Sequence, residues 1–595
     1  MGPQNGSNHV DEAYSKRAPV KAGHSGEQPQ WSGQAAPCLN RRFVWVLIGA
    51  AVALGWGHWL RGLVWSRALL TVSISLEGAA WALDWASWIT RRFRRRPRVT
   101  LSYRGRLRWE EVAAHNTAGS AWVAAHGKVY DVTDFVDRHP GGRELILLAA
   151  GRDATYLIES YHPFTEAPWR VLVKHEIGEL ASNEHPPYAG DRSGFWRDVR
   201  RAVQAHLRQH GIRWRSPWPA LQRMLPVYAL QALAFYGAFG LPAAAALSTS
   251  PVFSLAVIRT AAATLSFGVL QALPLVGWMH DASHASIGIN EWWWFIVGRL
   301  SLDWFAGASM LSWRYQHVVG HHVHTNVAGS DPDLPATVAG DVRRVAPSQL
   351  WARRYRYQHY YVPLLYGVLG MKSRLQDVLE IFLWQTNGPV RVNPISWQDS
   401  LRQVASKLGW CWWRIAWPLS AAWAPAQRGG AFWWLFVAAE LTTGYYLALN
   451  FQVSHVSGPC EFYQRQQIDE RPDPTSSTTS SSGENCAAAA AHTPLAGDIA
   501  DEWAVAQVKS SLDYAHRSRL QTFLSGALNY QTAHHLFPSV SQYVYPHITP
   551  VIMRVCGQHR LKYHVLPSFG AALRLHLKHL QALGARGVPA ELRLE

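Results

Sequence analysis

Hydrophobic and polar positions fall in long blocks along this chain. The first 40 residues are polar, with Asp11, Glu12 and Glu27 among Gly, Gln and Pro, and no apolar run opens them. That pattern predicts a disordered tail over residues 1–40. It fits neither a secretory signal, which needs an early apolar stretch, nor a transit peptide, which is poor in acids. The run from Phe43 to Leu60 is apolar over about one membrane thickness, and Ala68 to Ala86 is a weaker run interrupted by Glu77 and Asp84. Arginines from Arg91 to Arg98 follow. Together these predict a hydrophobic hairpin over residues 41–97 that returns the chain to the cytosolic side.

Residues 98–182 have the patterning of a small water-soluble α+β domain. Val129, Tyr130 and Val132 read as strand, and the segments around Glu110 and Asp153 have helical spacing. Residues 183–220 read as a linker marked by Pro186, Pro187 and Gly190, then a basic amphipathic stretch from Arg197 to Arg215. Four apolar runs come next: Met224 to Leu247, Thr260 to Met279, Leu408 to Trp423 and Ala431 to Val453. The last two are less clean, carrying Arg414 and Glu440. Two spans in series return a chain to the side it left, so the segments opening at His280 and His455 emerge on one face. The expected fold class is therefore a multi-domain membrane protein. A small α+β domain precedes an all-α membrane domain over residues 221–575, with about four transmembrane helices and a cytosolic histidine-rich cap. Residues 461–500, with Thr475-Ser-Ser-Thr-Thr-Ser-Ser-Ser-Gly and an alanine run from Ala487, cannot build a core and read as a disordered low-complexity insertion.

Composition agrees with a chain that is part embedded and part soluble. Its 595 residues exceed one compact core, and 31 tryptophans accompany a mean hydropathy of -0.11. The formal charge of +17 could signal nucleic acid, but the basic residues flank apolar runs, as in Arg91-Arg92-Phe93-Arg94-Arg95-Arg96. Anionic lipid headgroups are the better partner, and no nucleic acid is expected. Cys38, Cys411, Cys460, Cys486 and Cys556 form no CxxC pair and no disulfide framework. The tryptophans at 292–294 and from Trp410 to Trp417 suit anchoring at the membrane interface.

Two histidine patterns carry candidate chemistry. In Asp134-Phe-Val-Asp-Arg-His-Pro-Gly-Gly, Pro140, Gly141 and Gly142 form a side-chain-poor turn that lets a flat ligand approach the backbone beside His139. His162, on a separate short helix, can supply a second axial nitrogen, as a low-spin electron-transfer haem requires; the turn alone is equally compatible with a surface histidine. Further on, His280 and His284 are spaced i, i+4. His317-Val-Val-Gly-His321-His322 repeats that pair with an adjacent third imidazole expected to point elsewhere, and Gln531-Thr-Ala-His534-His535 repeats the doubled histidine. An all-imidazole shell suits iron and is foreign to magnesium or calcium, while zinc stays open on ligand type alone.

Over residues 98–182 the chain resembles the cytochrome b5 haem-binding domain. The resemblance implies a haem b held by His139 and His162 in the turn of Pro140, Gly141 and Gly142, while His115 and His126 match no ligand position. From about 220 to 570 it resembles the membrane fatty-acyl desaturases. The shared stretches include Trp278-Met-His-Asp-Ala-Ser-His, Tyr315-Gln-His-Val-Val-Gly-His-His, Gly329-Ser-Asp-Pro-Asp, Arg391-Val-Asn-Pro-Ile-Ser, Phe451-Gln-Val-Ser-His-Val and Leu528-Asn-Tyr-Gln-Thr-Ala-His-His-Leu-Phe-Pro. The fused haem domain and Gln531 at the head of the third box mark the front-end desaturases, most like Δ5-type enzymes of fungi and algae.

That resemblance implies two non-haem iron ions that use O2 and two electrons to place a double bond between an existing one and the carboxyl end. His280, His284, His317, His321, His322, His534 and His535 fall on motif positions, and His455 sits where the family places an additional ligand. Gln531 can ligate, hold a water or orient a neighbour, the last being the expected role. Asp281, Asp303, Asp331 and Asp513 lie near the boxes as orienting or capping groups. His324 departs from the motif and is expected to pack. The implied substrate is a fatty-acyl lipid or acyl-CoA in the bilayer. No nucleotide-binding fingerprint is present, so an external NADH-dependent cytochrome b5 reductase is implied as electron donor. The implied location is the endoplasmic reticulum membrane in preference to a plastid membrane, multi-pass, with the haem domain and boxes cytosolic. A sphingolipid long-chain-base desaturase, a lipid hydroxylase and a membrane-tethered haem electron carrier are the competing readings.

Overall fold

The computed structural model describes residues 62–93, 103–185, 188–240, 254–335, 342–420, 430–463 and 499–585. The expected tail, the run from Phe43 to Leu60 and nearly all of the low-complexity insertion lie outside the described residues.

Helix α1, Gly62–Phe93, runs unbroken through the weaker N-terminal apolar stretch and packs along Trp397–Cys411. The two acids that interrupt that stretch are paired there, Glu77 with Arg299 at 3.4 Å and Asp84 with Arg402. Trp81 of α1 stacks on Trp292 at 5.8 Å.

The soluble domain is built on a six-stranded sheet centred on the antiparallel pair Ser120–Ala125 and Lys128–Asp131. Residues 121–125 are all buried, which suits an unbroken apolar run covered on both faces. The pair is closed by His126 and Gly127, both at positive φ, the backbone of a tight hairpin turn. His126 is thereby committed to a turn, with its ring 3.0 Å from Glu159. His115 stacks on Trp122 at 3.5 Å. Two short helices, α2 (Arg143–Ala149) and α3 (Thr155–Tyr161), stand beside the sheet.

After this domain the chain enters the expected linker, where Tyr188–Ala189 pairs in parallel with Ile499–Glu502. Amphipathic α4, Phe195–Gln209, buries Phe195, Trp196, Val199, Val203 and Leu207 on one stripe, against the later helix Tyr545–Gln558. Helices α5 (Trp218–Phe239), α6 (Leu255–Pro274), α7 (Trp397–Cys411) and α8 (Ala431–Gln452) follow at the expected apolar runs. Phe235, Phe239, Phe267, Trp410, Phe432 and Phe436 form their shared core. Among the described residues one helix, Leu255–Ser283, is long and apolar enough to cross a membrane. The run expected from Leu408 is only the far end of a longer path: α7 starts at Trp397, capped by Ser396, and buries Arg402 and Gln403 in its first turns. Arg414 and Glu440 are fully buried partners at 3.1 Å. Arg374 takes the other carboxylate oxygen, and Phe239, Phe267 and Phe436 face the Arg414 guanidinium.

The tryptophans do not all share the expected interfacial position. Trp292 is exposed, whereas Trp294 is buried with its indole N–H donating to the Ile287 carbonyl.

Candidate metal centres

His139 follows a short 3-10 turn, Thr133–Arg138, and Gly142 completes the reversal at a φ of 84°, closed to bulkier residues without strain. The Nδ1–H of His139 donates to the Gly142 carbonyl at 3.0 Å. His162 caps α3, with its Nδ1–H donating to the Ile158 carbonyl at 3.1 Å. Each tether fixes the tautomer and leaves Nε2 free, and the two rings stand 6.3 Å apart by centroid. Imidazole–metal bonds of about 2 Å on either side of one ion fit such a gap. Burial lowers both histidines, His162 to about 4, so both are neutral and able to ligate at neutral pH. Gly141 belongs to the same cradle, because a Cβ there would stand 2.8 Å from the His139 ring. Pro140 is exposed at the tip. The residues fit a haem.

The second cluster assembles from four separated segments. His280 begins the last helical turn of the path that starts as α6, and His284 caps it. His317 and His321 belong to a π-helical segment, Arg314–His321, and His322 caps it, its N–H reaching the His317 carbonyl five residues back, at 3.0 Å. This widened turn changes the expected facing. His322 looks toward His317, with the two Nε2 atoms 3.2 Å apart, and His321 is the imidazole that turns away. The cause is the larger residue count per turn, which moves the i, i+5 position onto the face an α-helix gives to i, i+4. His534 and His535, on α9 (Gln531–Leu536), divide likewise.

The ligand atoms of His280, His284, His317 and His534 lie within 4.8 Å of one another, and so do those of His321, His455 and His535. His322 stands between the groups, its ring 4.5 Å from His534 and 4.3 Å from His535. All eight imidazoles are buried. Buried polar atoms nearly always have partners, yet Nε2 of His284, Nε2 of His534 and Nδ1 of His322 have none. A bound metal satisfies such orphans, and an all-nitrogen donor set suits first-row transition metals.

Outer contacts aim the rings. His284 Nδ1 meets the Tyr161 hydroxyl at 2.6 Å, His534 Nδ1 the Tyr545 hydroxyl at 3.2 Å, His535 Nδ1 the Gln507 side-chain oxygen at 2.9 Å and His455 Nδ1 the Ser510 carbonyl at 3.0 Å. Burial first, then neighbouring imidazoles, hold His284, His317, His322, His534 and His535 well below the usual histidine range. His321 differs: burial opposes its charge, but Asp331 and Asp333 outweigh burial and raise it to about 9.

Of the four carboxylates singled out by sequence, only Asp331 touches one of these imidazoles. Asp281 accepts from Ser541 and the Gln542 N–H, Asp303 from the Met310 N–H, and Asp513 from the N–H of Thr532, the second residue of the third box. The Gln531 amide nitrogen lies 2.8 Å from His455 Nε2 and 3.1 Å from His535 Nε2, on the ligand-atom side of those rings. His324 is remote from the cluster, 4.4 Å from His185 by ring centroid, in a cavity shared with Arg152 and Tyr188. Tyr161, Gln507, Tyr545 and Ser510 were not visible as site residues in the sequence. Only Tyr161 had a cue, its place beside His162.

The soluble domain is docked on this cluster. Arg152 donates to Asn393 at 2.9 Å, and Asn393 donates to the Leu147 and Ala150 carbonyls. Arg391 donates to the Ala113 and Gly151 carbonyls, Tyr156 stacks on Trp503, and Arg314 pairs with Glu144.

Residues 258–567 match the family described as fatty acid desaturase, and residues 108–181 match the cytochrome b5-like heme/steroid binding domain. The Delta(5) fatty acid desaturase A of Dictyostelium discoideum is 37% identical over 479 residues, 80% of this chain and 93% of that protein. The acyl-lipid (8-3)-desaturase of Mortierella alpina is 36% identical over 478 residues, 80% of this chain and 97% of that protein.

Proposed function

The chain belongs to the fatty acid desaturase family as a front-end desaturase fused to a cytochrome b5 domain, and on that premise we propose that it forms a Δ5 double bond in a lipid-bound polyunsaturated acyl chain. It is a membrane-associated, oxygen-dependent oxidoreductase with haem and di-iron cofactors. When bound, the haem carries single electrons, and the iron pair uses them with O2 to remove two hydrogens from the acyl chain.

In this reading His139 and His162 hold the haem through Nε2, and the Gly141–Gly142 cradle keeps their faces open. His280, His284, His317 and His534 take one iron, His321, His455 and His535 the other, with His322 between them. Gln531, whose side-chain amide stands on the ligand-atom side of His455 and His535, positions the second group. Asp331 and Asp333 keep His321 aimed, and Tyr545 and Gln507 do the same for His534 and His535. We take residues 98–182 as the haem domain and 221–575 as the desaturase domain, with four core spans returning both centres to the cytosolic face of the endoplasmic reticulum. An NADH-dependent cytochrome b5 reductase supplies the electrons. The regiochemistry rests on the names of the relatives matched over nearly their full length.

The observation that carries the reading is the meeting of four separated histidine segments in one buried cluster against which the haem domain docks. Its test is expression in a host without polyunsaturated lipids, fed candidate polyunsaturated acids, with double-bond positions assigned by gas chromatography and mass spectrometry. A new bond at carbon 5 is expected. A hydroxylated product, or a bond on the methyl side of the existing ones, overturns the reading.

A further inference from the structure

The geometry points to Tyr161 as the link through which electrons pass from the haem domain to the iron centre, an assignment that rests on the functional reading above. Tyr161 ends α3 and is bonded in sequence to His162. Its hydroxyl oxygen lies 2.6 Å from Nδ1 of His284, with the two rings 6.0 Å apart by centroid. The nitrogen of His284 left without a partner is Nε2. An imidazole that ligates through Nε2 keeps its proton on Nδ1, so the phenol oxygen accepts that proton's hydrogen bond. One peptide link, one aromatic side chain and one short hydrogen bond then join the two metal-facing imidazoles. Electron tunnelling falls steeply with gaps and more gently along covalent and hydrogen-bonded contacts, and this route has no gap in it.

Orientation alone does not account for the arrangement. His455 and His535 donate their outer hydrogen bonds to Ser510 and Gln507, and His534 meets Tyr545, all of the desaturase part, whereas His284 donates its own to the docked haem domain. The Tyr161 backbone is held from outside the haem domain as well. Arg215 donates to its carbonyl at 3.5 Å and to that of Ser539 at 3.1 Å, and the Ser539 hydroxyl donates to the Ser160 carbonyl at 3.3 Å.

Each passage oxidises the haem iron by one electron and reduces one non-haem iron by one. The proton between His284 and Tyr161 stays on His284, and the phenol is never itself oxidised. Two passages supply two electrons; with two from the substrate's C–H bonds, its two hydrogens and two solvent protons, they reduce O2 to two waters.

The test uses the full-length chain loaded with haem and iron, compared with Tyr161→Phe and Tyr161→Leu. The haem is reduced by a light flash without oxygen, and the iron-dependent decay of its reduced absorbance is followed, with the iron-free chain as blank. Both variants are expected to slow this decay at least tenfold with the haem spectrum and iron content of the parent. A parental decay rate in iron-loaded Tyr161→Phe overturns the proposal. Failure of that variant to take up iron also overturns it, since Tyr161 would then serve only to aim His284. A parent chain holding both cofactors but showing no iron-dependent decay would sink the functional reading itself.

Discussion

Gly141 and His126 show how single positions in the haem domain answer to geometry rather than to motif membership. Gly141→Ala places a Cβ 2.8 Å from the His139 ring, so the ring must tilt away from its tether to the Gly142 carbonyl. Haem affinity should fall on the order of 10–100-fold, the usual effect of disturbing a ligand's support, read as haem absorbance per chain during titration. His126 is raised by its hydrogen bond to Glu159, against the effect of burial. A raised folded-state value means that the pair stabilises the domain fully below the unfolded histidine value of 6.5 and is lost as pH rises through the folded value. The His126 side chain is 54% exposed, so solvent screening keeps the gain to about 0.2–1 kcal/mol. His126→Gln should therefore melt measurably earlier than the parent at pH 5.5, with the gap closing by pH 9.

Among the elements, the π-helical turn at Arg314–His321 and the docking strip at residues 390–393 matter most. Sequence spacing identified the histidines of the second box but assigned their directions from an ordinary α-helix, and the wider turn exchanged His321 and His322. Residue spacing alone does not distinguish a π-helical from an α-helical turn. Outer partners such as Gln507 and Tyr545 were equally hidden, since each meets its imidazole only across folded distance. The turn at His139 was open to sequence reasoning because its glycines act locally, Gly142 taking a φ of 84°. At the docking strip, Asn393→Ala removes hydrogen bonds to two haem-domain carbonyls and the acceptor of Arg152, at about 1–3 kcal/mol for each buried group orphaned. Haem-to-iron transfer should slow in this variant while haem and iron contents hold. In the helical core, Glu440→Ala leaves Arg374 and Arg414 buried without their carboxylate. A loss of about 3–5 kcal/mol is expected, seen as a lower midpoint of thermal unfolding in detergent.

At the scale of the whole molecule, two metal centres built by different chemistry share one docked body. Chelation of the non-haem metal should therefore abolish product while the haem spectrum persists, and His139→Ala should abolish it while iron remains bound. Retained product after complete iron removal would contradict the assignment of the eight imidazoles. The pairing of Tyr188–Ala189 with Ile499–Glu502 bears on how such a molecule works. A donor hung on a free tether would visit its acceptor at an effective concentration set by tether length. Here the tether is itself woven into the acceptor's fold, so the donor is parked and not orbiting. Turnover should then be indifferent to added free haem protein, and its supply limit lies with whichever external donor reaches the outward side of the parked domain.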